Sequence, residues 1–205
     1  MRHFELKKLE SLSKVYRLNL INSVTGYKSA NLIGTVSSSG NQNLAIFSSI
    51  IHLGSNPALV GFILRPKTVP RHSHLNMKST GIFTLNAISK SQIKDAHHTS
   101  AKYPESVSEF DQTDLEPEIK QGFKAPFVKG SKIQIGCNYV NEYLIKENDT
   151  ILVVGKIEHL FIEDQLLGED GWVQLDKGNI VTINGLDGYA IPNLIKRFEY
   201  AKPKG

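Results

Sequence analysis

Two strand-like runs, SKIQIGCNYVNEYLI and TILVVGKIEHLFI, stand on either side of the short segment KEND. In the first, Ile133, Ile135, Cys137 and Tyr139 fall on one face, and Gln134, Gly136 and Asn138 on the other. That is the period of two that marks a strand. KEND makes a turn, and residues 150–162 return as the hairpin partner. A long hairpin of this kind commits the chain to antiparallel pairing, because a parallel neighbour needs a crossover connection.

The remaining segments agree. Residues 30–38 (ANLIGTVSS) read as a strand closed by the turn SSGN, and NLAIFSS follows as a second strand-like run. PALVGFILR (57–65) is nearly continuous in apolar residues, which predicts a strand buried on both faces. GIFTLNAI (81–88) is another strand. Helical signals are fewer. Thr68, Val69 and Pro70 look like an N-cap with proline in the first turn, and Gly81 stands where that helix ends. A second helix is predicted over residues 91–102, with Ser91 as N-cap. The stretch 103–130 reads as loop, with Pro104, Pro117 and Pro126, and so long an excursion is expected to be functional or to cover a partner. No repeat or linker divides the chain, so residues 1–205 are expected to form a single domain. The expected fold class is mainly β: an antiparallel β-barrel with a few helices.

Composition narrows the function classes. At 205 residues the chain can build a sizeable core without a metal or disulfide framework. The lone Cys137 has no intrachain partner, which favours a reducing compartment, and it occupies a strand position suited to a small buried hydrophobe. No apolar run reaches the length of a membrane span, and the N-terminus lacks a signal-peptide core. A cytoplasmic protein without membrane contact is expected. The net charge of +4 is spread along the chain rather than gathered with stacking aromatics, so no nucleic-acid partner is expected.

NLAIFSS raises the chemical question: a strand ending in paired hydroxyls, with small Ala45 where a bulkier residue would pack better. RPKTVPRHSH adds Arg65 at a strand end, then Arg71, His72 and Ser73 in the first turn of a helix. A helix N-terminus presents unpaired N–H groups and partial positive charge, and arginine presents a fork of donors matched to phosphate oxygens. Ser48, Ser49, Arg65, Arg71 and Ser73 therefore form a coherent seat for a phosphate monoester. Residue types alone leave a second reading open, in which the serines are polar strand ends and the arginines are surface residues. No fixed-spacing motif such as a P-loop decides between them.

The order of segments bears on that choice. TVSSSGNQNLAIFSS, NPALVGFILRP, RHSHLNMKSTGIFTLNAI, AHHTSAKYPESVSEFD and LDGYAIPNLIKRFEYAKP resemble, in sequence order, five segments of the flavin reductase-like family. The resemblance runs from about residue 19 to residue 203. It implies an FMN-binding split β-barrel of antiparallel Greek-key type. It implies that Asn43, Leu44, Ala45, Ile46, Phe47, Ser48 and Ser49 wrap the flavin, with the two serines at its phosphate. Arg65, Arg71, His72 and Ser73 belong to the same phosphate site, and Asn86 lies near the ring. The chain departs from the family in two places. YKSANLIG stands where many relatives have a PRP-like triplet, and His72-Ser73 replaces an acid-threonine pair; serine keeps the hydroxyl, while histidine gives up the carboxylate.

The histidines invite a metal reading, but on a helix His72 and His74 point about 200° apart and His97 and His98 diverge similarly. No metal is expected. His97 or His98 is a candidate to border a nicotinamide, and Trp172 is expected in the core or at a dimer interface. The leading expectation is an NAD(P)H:FMN oxidoreductase, a homodimer that supplies reduced flavin to an oxygenase or another electron acceptor. FAD and riboflavin are less expected than FMN. G-x-G-x-x-G is absent, so nicotinamide would bind without a Rossmann device. The alternatives are an FMN-binding electron carrier without nicotinamide oxidation of its own, and a non-catalytic module for flavin or another phosphate ligand.

Overall fold

A computed structural model of the chain describes residues 1–66 and 71–203. Two short helices, α1 (Leu6–Ser11) and α2 (Lys14–Ser23), precede five strands: β1 (Lys28–Ser29), β2 (Asn31–Val36), β3 (Gln42–Phe47), β4 (Ile51–Ser55) and β5 (Ala58–Leu64). Then come α3 (His72–Thr80), β6 (Ile82–Ala87), α4 (Ile93–His98) and the two-residue strands β7 (Pro117–Glu118) and β8 (Phe127–Val128). The hairpin β9 (Ile133–Ile145) and β10 (Thr150–Ile162) follows, and β11 (Thr182–Asn184) and β12 (Gly188–Ala190) close the chain.

The body is a seven-stranded sheet in the order β3-β2-β6-β9-β10-β5-β4, antiparallel at every pairing. The β9–β10 hairpin sits inside it, as the alternating pattern predicts. Its turn spans residues 146–149, where Asp149 takes a positive φ and the Asn148 side chain accepts from the Thr150 N–H. Strands β3 and β4 are the two edges. They are consecutive in sequence but not paired with each other, and residues 48–50 carry the chain across that gap.

Each strand sorts its side chains between two cores. On β2, Leu32 faces a cluster with Leu44, Ile88, Ala96, Phe110 and Val181, whereas its neighbour Ile33 joins Phe62, Leu64, Met77, Phe83 and Cys137 inside the curved sheet. On β9, Cys137 lies in that interior with Ile135 and Tyr139 packed against it, as the face assignment predicts. The opposite face of β9 is covered too. Gln134 is 1% exposed and donates to Glu118 Oε1 and the Val128 carbonyl. Its cover is the 103–130 excursion, which packs Phe123, Ala125 and Phe127 against the sheet and pairs β7 with β8. This segment, expected to be loop, therefore covers the protein's own sheet.

The helices differ from expectation in detail. Helix α3 ends at Gly81, whose φ of 74° suits the left-handed cap. Its expected N-cap at residues 68–70 lies outside the described residues, and the cap of the observed helix is Arg71. The helix predicted from Ser91 to residue 102 is shorter. A 3₁₀ turn, Lys90–Gln92, leads into α4, which stops at His98, and the cap is Ser89. Ser89 and Gln92 form a reciprocal capping box, and a box needs its acceptor three residues on, which Ser91 lacks. Trp172 is 44% exposed rather than in the core, with the Arg197 guanidinium 4.3 Å from its ring centre. Cys137 is fully buried, and burial pushes its thiol up to about 12.

Candidate functional site

At the end of β3, where the chain crosses to β4, the surface opens into a cleft of about 730 Å³. Asn43, Ala45, Ile46, Phe47, Ser48 and Ser49 form one wall. The end of β5 supplies Ile63, Leu64 and Arg65, and the start of α3 supplies Arg71, His72 and Ser73. Residues of α2, Ile21 and Asn22 among them, close another side with Lys28. His97, Lys102, Tyr103 and Glu109 complete the rim.

Segments 43–49, 65 and 71–73, far apart in sequence, thus meet in one cavity, and tertiary contacts tie them together. The Asn43 side-chain amide donates to Ser73 Oγ across 2.9 Å, which locks β3 to the first turn of α3. Leu44 points away from the cleft into the core, and its backbone N–H donates to Glu109 Oε2 at 2.8 Å. By strand alternation the N–H and C=O of Ile46 leave the sheet edge on the same side. Ser49 is committed to the backbone: its hydroxyl donates to the Ile63 carbonyl and accepts the Ile63 N–H, taking the place of a strand partner. Ser48 makes no such closure, so the two hydroxyls have different surroundings.

The start of α3 is rich in unmet donors. Helical bonding begins with the Leu75 N–H to the Arg71 carbonyl, which leaves the N–H groups of His72 and Ser73 outside the ladder. Arg71 Nε and His72 Nδ1 are buried with no hydrogen-bond partner. Buried polar atoms are normally paired, and orphans gathered on a cleft wall are matched to a ligand rather than to the protein. Lys28, Arg65, Arg71 and Lys102 make the walls basic, and among the described residues Glu109 is their one carboxylate. Glu109 is 6% exposed, and burial pushes its pKa up, against the opposing pull of the Leu44 N–H and the nearby charge of His72. The site can therefore hold an anion beside a flat, partly apolar wall.

Other candidates fall elsewhere. Asn86 is fully buried behind the sheet, where its amide donates to the Leu32 carbonyl and Thr84 Oγ1 and accepts from the Val128 N–H. It does not line the cleft. His97 reaches the rim and shares a 2.9 Å hydrogen bond with the Tyr189 hydroxyl, whereas His98 is not among the lining residues and bonds the hydroxyl of the rim residue Tyr103. His74 turns away from His72 into the protein and meets Glu142. Among the described residues no three His, Cys, Asp or Glu side chains come together as a metal-ligand set. Sequence reasoning missed Glu109, Lys28 and the α2 wall. Glu109 lies in VSEFD, and nothing local to that string marks its carboxylate as buried.

This combination, a mainly antiparallel sheet left open between β3 and β4 with a basic cleft at the opening, defines a split β-barrel. The chain belongs to the flavin reductase-like domain family, whose model matches residues 25–177. Its structure is similar to that of a Shewanella frigidimarina NCIMB 400 protein provisionally named a flavin reductase with split barrel domain. That likeness has 41% identity and a TM-score of 0.95, and covers 98% of this chain and 100% of the other. It also resembles nitrilotriacetate monooxygenase component B of Bacillus cereus at 18% identity and TM-score 0.82, covering 98% of each chain. The flavoredoxin of Desulfovibrio vulgaris (Miyazaki F) matches at 17% identity and TM-score 0.73, over 85% of this chain and 92% of the other.

Proposed function

We propose that this cleft binds FMN and that the protein is an NAD(P)H:FMN oxidoreductase. The observation that carries the reading is the pair of orphaned buried nitrogens, Arg71 Nε and His72 Nδ1, at the free N-terminus of α3 and at the end of the wall made by β3. A phosphate monoester satisfies both orphans and the partial positive charge of the helix end. Arg65 and Ser73 line the same end, and Asn43 holds Ser73 in place. Along the wall, small Ala45 lets a planar ring approach the backbone, and the outward groups of Ile46 are free to meet its polar edge. Bound FMN would supply the hydride chemistry, so no side chain has to serve as nucleophile. The protein's part is to bind, orient and shield. His97, hydrogen-bonded to Tyr189 at the rim, would border an incoming nicotinamide.

The quaternary reading follows from surface chemistry. Neither α1 nor α2 buries any residue in the single chain, and Val15, Leu18, Ile21 and Val24 remain exposed. An exposed apolar face of this kind calls for a partner. We assign a homodimer, with α2 lying between the interface and the cleft it helps to line. The resemblance to a monooxygenase component supports a separate oxygenase as acceptor of reduced flavin, and buried Cys137 suits the reducing cytoplasm. Titration of the purified protein with FMN, followed by NADH and NADPH oxidation, tests the proposal. Saturable flavin binding and flavin-dependent oxidation of the nicotinamide are expected. Binding without oxidation would make the protein an electron carrier, and no binding would remove flavin from the cleft. Sedimentation velocity should give a dimer.

A further inference from the structure

The cleft contains one acid among its cations, and that acid is buried beside a histidine whose ring nitrogen has no partner. Glu109 enters from the 3₁₀ turn Glu109–Gln112, one carboxylate oxygen engaged by the Leu44 N–H. His72 is the first residue of α3 and lines the same cleft, with its Nδ1 buried and without a hydrogen-bond partner. A buried carboxylate next to the seat of an anion is an obstacle unless its charge is cancelled.

We propose that Glu109 and His72 act together as the proton-accepting pair of the phosphate seat, so that the cleft takes up a proton from solvent as a dianionic phosphate monoester binds. This rests on the FMN reading and specifies how the site accommodates the ligand's charge. Both members respond in the same direction. The incoming dianion raises the affinity of Glu109 for a proton by repulsion and that of His72 by attraction. Burial already raises the proton affinity of Glu109 before the ligand arrives, against the opposing pull of the Leu44 N–H and His72. The ionisable groups that share the cleft with the pair are Lys28, Arg65, Arg71, His97, Lys102 and Tyr103. The arginines and lysines contribute attraction for the anion. His97 is hydrogen-bonded to Tyr189 at the rim, and Tyr103 is bonded to His98. Of the other ionisable groups on α3, His74 and Lys78 are both directed to Glu142, away from the cleft.

Binding that takes up protons weakens as pH rises. A phosphate monoester loses its second proton near pH 6, so by about pH 7.5 the ligand is almost wholly dianionic and the uptake belongs to the protein. The experiment is calorimetric titration of FMN into the protein at about pH 7.5, in buffers of different ionisation enthalpy, together with Kd measured from about pH 7 to 8.5. An uptake of about half a proton is expected, with Kd rising about threefold per pH unit. Glu109→Gln keeps an acceptor for the Leu44 N–H, and His72→Asn keeps a polar group at the helix start. Each should cut the uptake by half or more and flatten the pH profile. A binding heat independent of buffer overturns the proposal while leaving FMN binding intact, and so does uptake that persists in His72→Asn. Failure of the wild-type protein to bind FMN at all overturns the underlying reading.

Discussion

At Arg71 one residue serves two levels of structure. Its carbonyl accepts the first helical bond of α3, and its guanidinium, with one Nη donating to the Pro66 carbonyl at 3.4 Å, leaves Nε buried and unmet on the cleft wall. Arg71→Ala removes the guanidinium without disturbing the backbone acceptor. The expected result is FMN affinity weakened by about 1.5–3 kcal/mol, the range of a charge-assisted hydrogen bond, measured by fluorescence titration. Ala45 makes the complementary case. It is half-buried and lines the cleft, so a larger side chain at this position fills ligand space. Ala45→Leu should abolish measurable FMN binding while moving the melting temperature by only a few degrees, about the effect of 1 kcal/mol. Loss of binding together with loss of fold would show that Ala45 is needed for packing. The paired serines of NLAIFSS were indistinguishable in the sequence. Only the contact of Ser49 with Ile63 separates a backbone-pairing hydroxyl from one facing the cleft.

The second turn of α3 is anchored to the barrel by charge. His74 is 3% exposed and bonds Glu142 Oε2 on β9, and Lys78 reaches Glu142 Oε1 at 3.0 Å. Burial opposes ionisation of Glu142, but the hydrogen bonds from His74, Lys78 and Tyr139 outweigh it and hold the carboxyl at about 2. A folded-state pKa below the unfolded value of about 4.3 contributes stability that is fully present above that value. It is lost as pH falls from about 4.3 toward 2. Glu142→Gln should therefore cost about 2 kcal/mol at pH 7 and about half of that near pH 3, measured by urea unfolding at both pH values. Because α3 carries Arg71, His72 and Ser73, the same change should also loosen FMN binding. The element itself was legible through Gly81, since a glycine after the last turn needs no partner to declare a left-handed cap. The start of α4 was legible in the Ser89–Gln92 spacing of a capping box, but its end at His98 was not.

On the scale of the whole molecule, the outer cover and the barrel are fitted to each other at Gly34. A Cβ there would lie 2.1 Å from the Pro126 carbonyl oxygen and 2.6 Å from Thr84 Oγ1. The first is backbone and cannot swing aside, so Gly34→Ala should destabilise the protein by about 3 kcal/mol, read from thermal or urea unfolding. Strands β2, β5, β6, β9 and β10 announced themselves because alternation and apolar runs are local properties that a half-buried or doubly buried strand requires. Strand β4 did not, since IHLGS is short, polar in part and stabilised chiefly by its pairing with β5. Helices α1 and α2 were equally silent, having no buried face to impose a period. The residue types for a phosphate seat could be read from segments 43–49 and 65–73, and the order of matching segments pointed to the flavin reductase-like family. By itself, then, the sequence determined antiparallel pairing, the hairpin at the centre of the sheet and the donors available for an anion, because each rests on neighbouring residues. Only the tertiary structure decided that Glu109 shares a cleft with His72, that Ser49 is spent on Ile63 and that Asn86 lies behind the sheet. These depend on which distant segments come within hydrogen-bonding distance, and no local pattern carries that information.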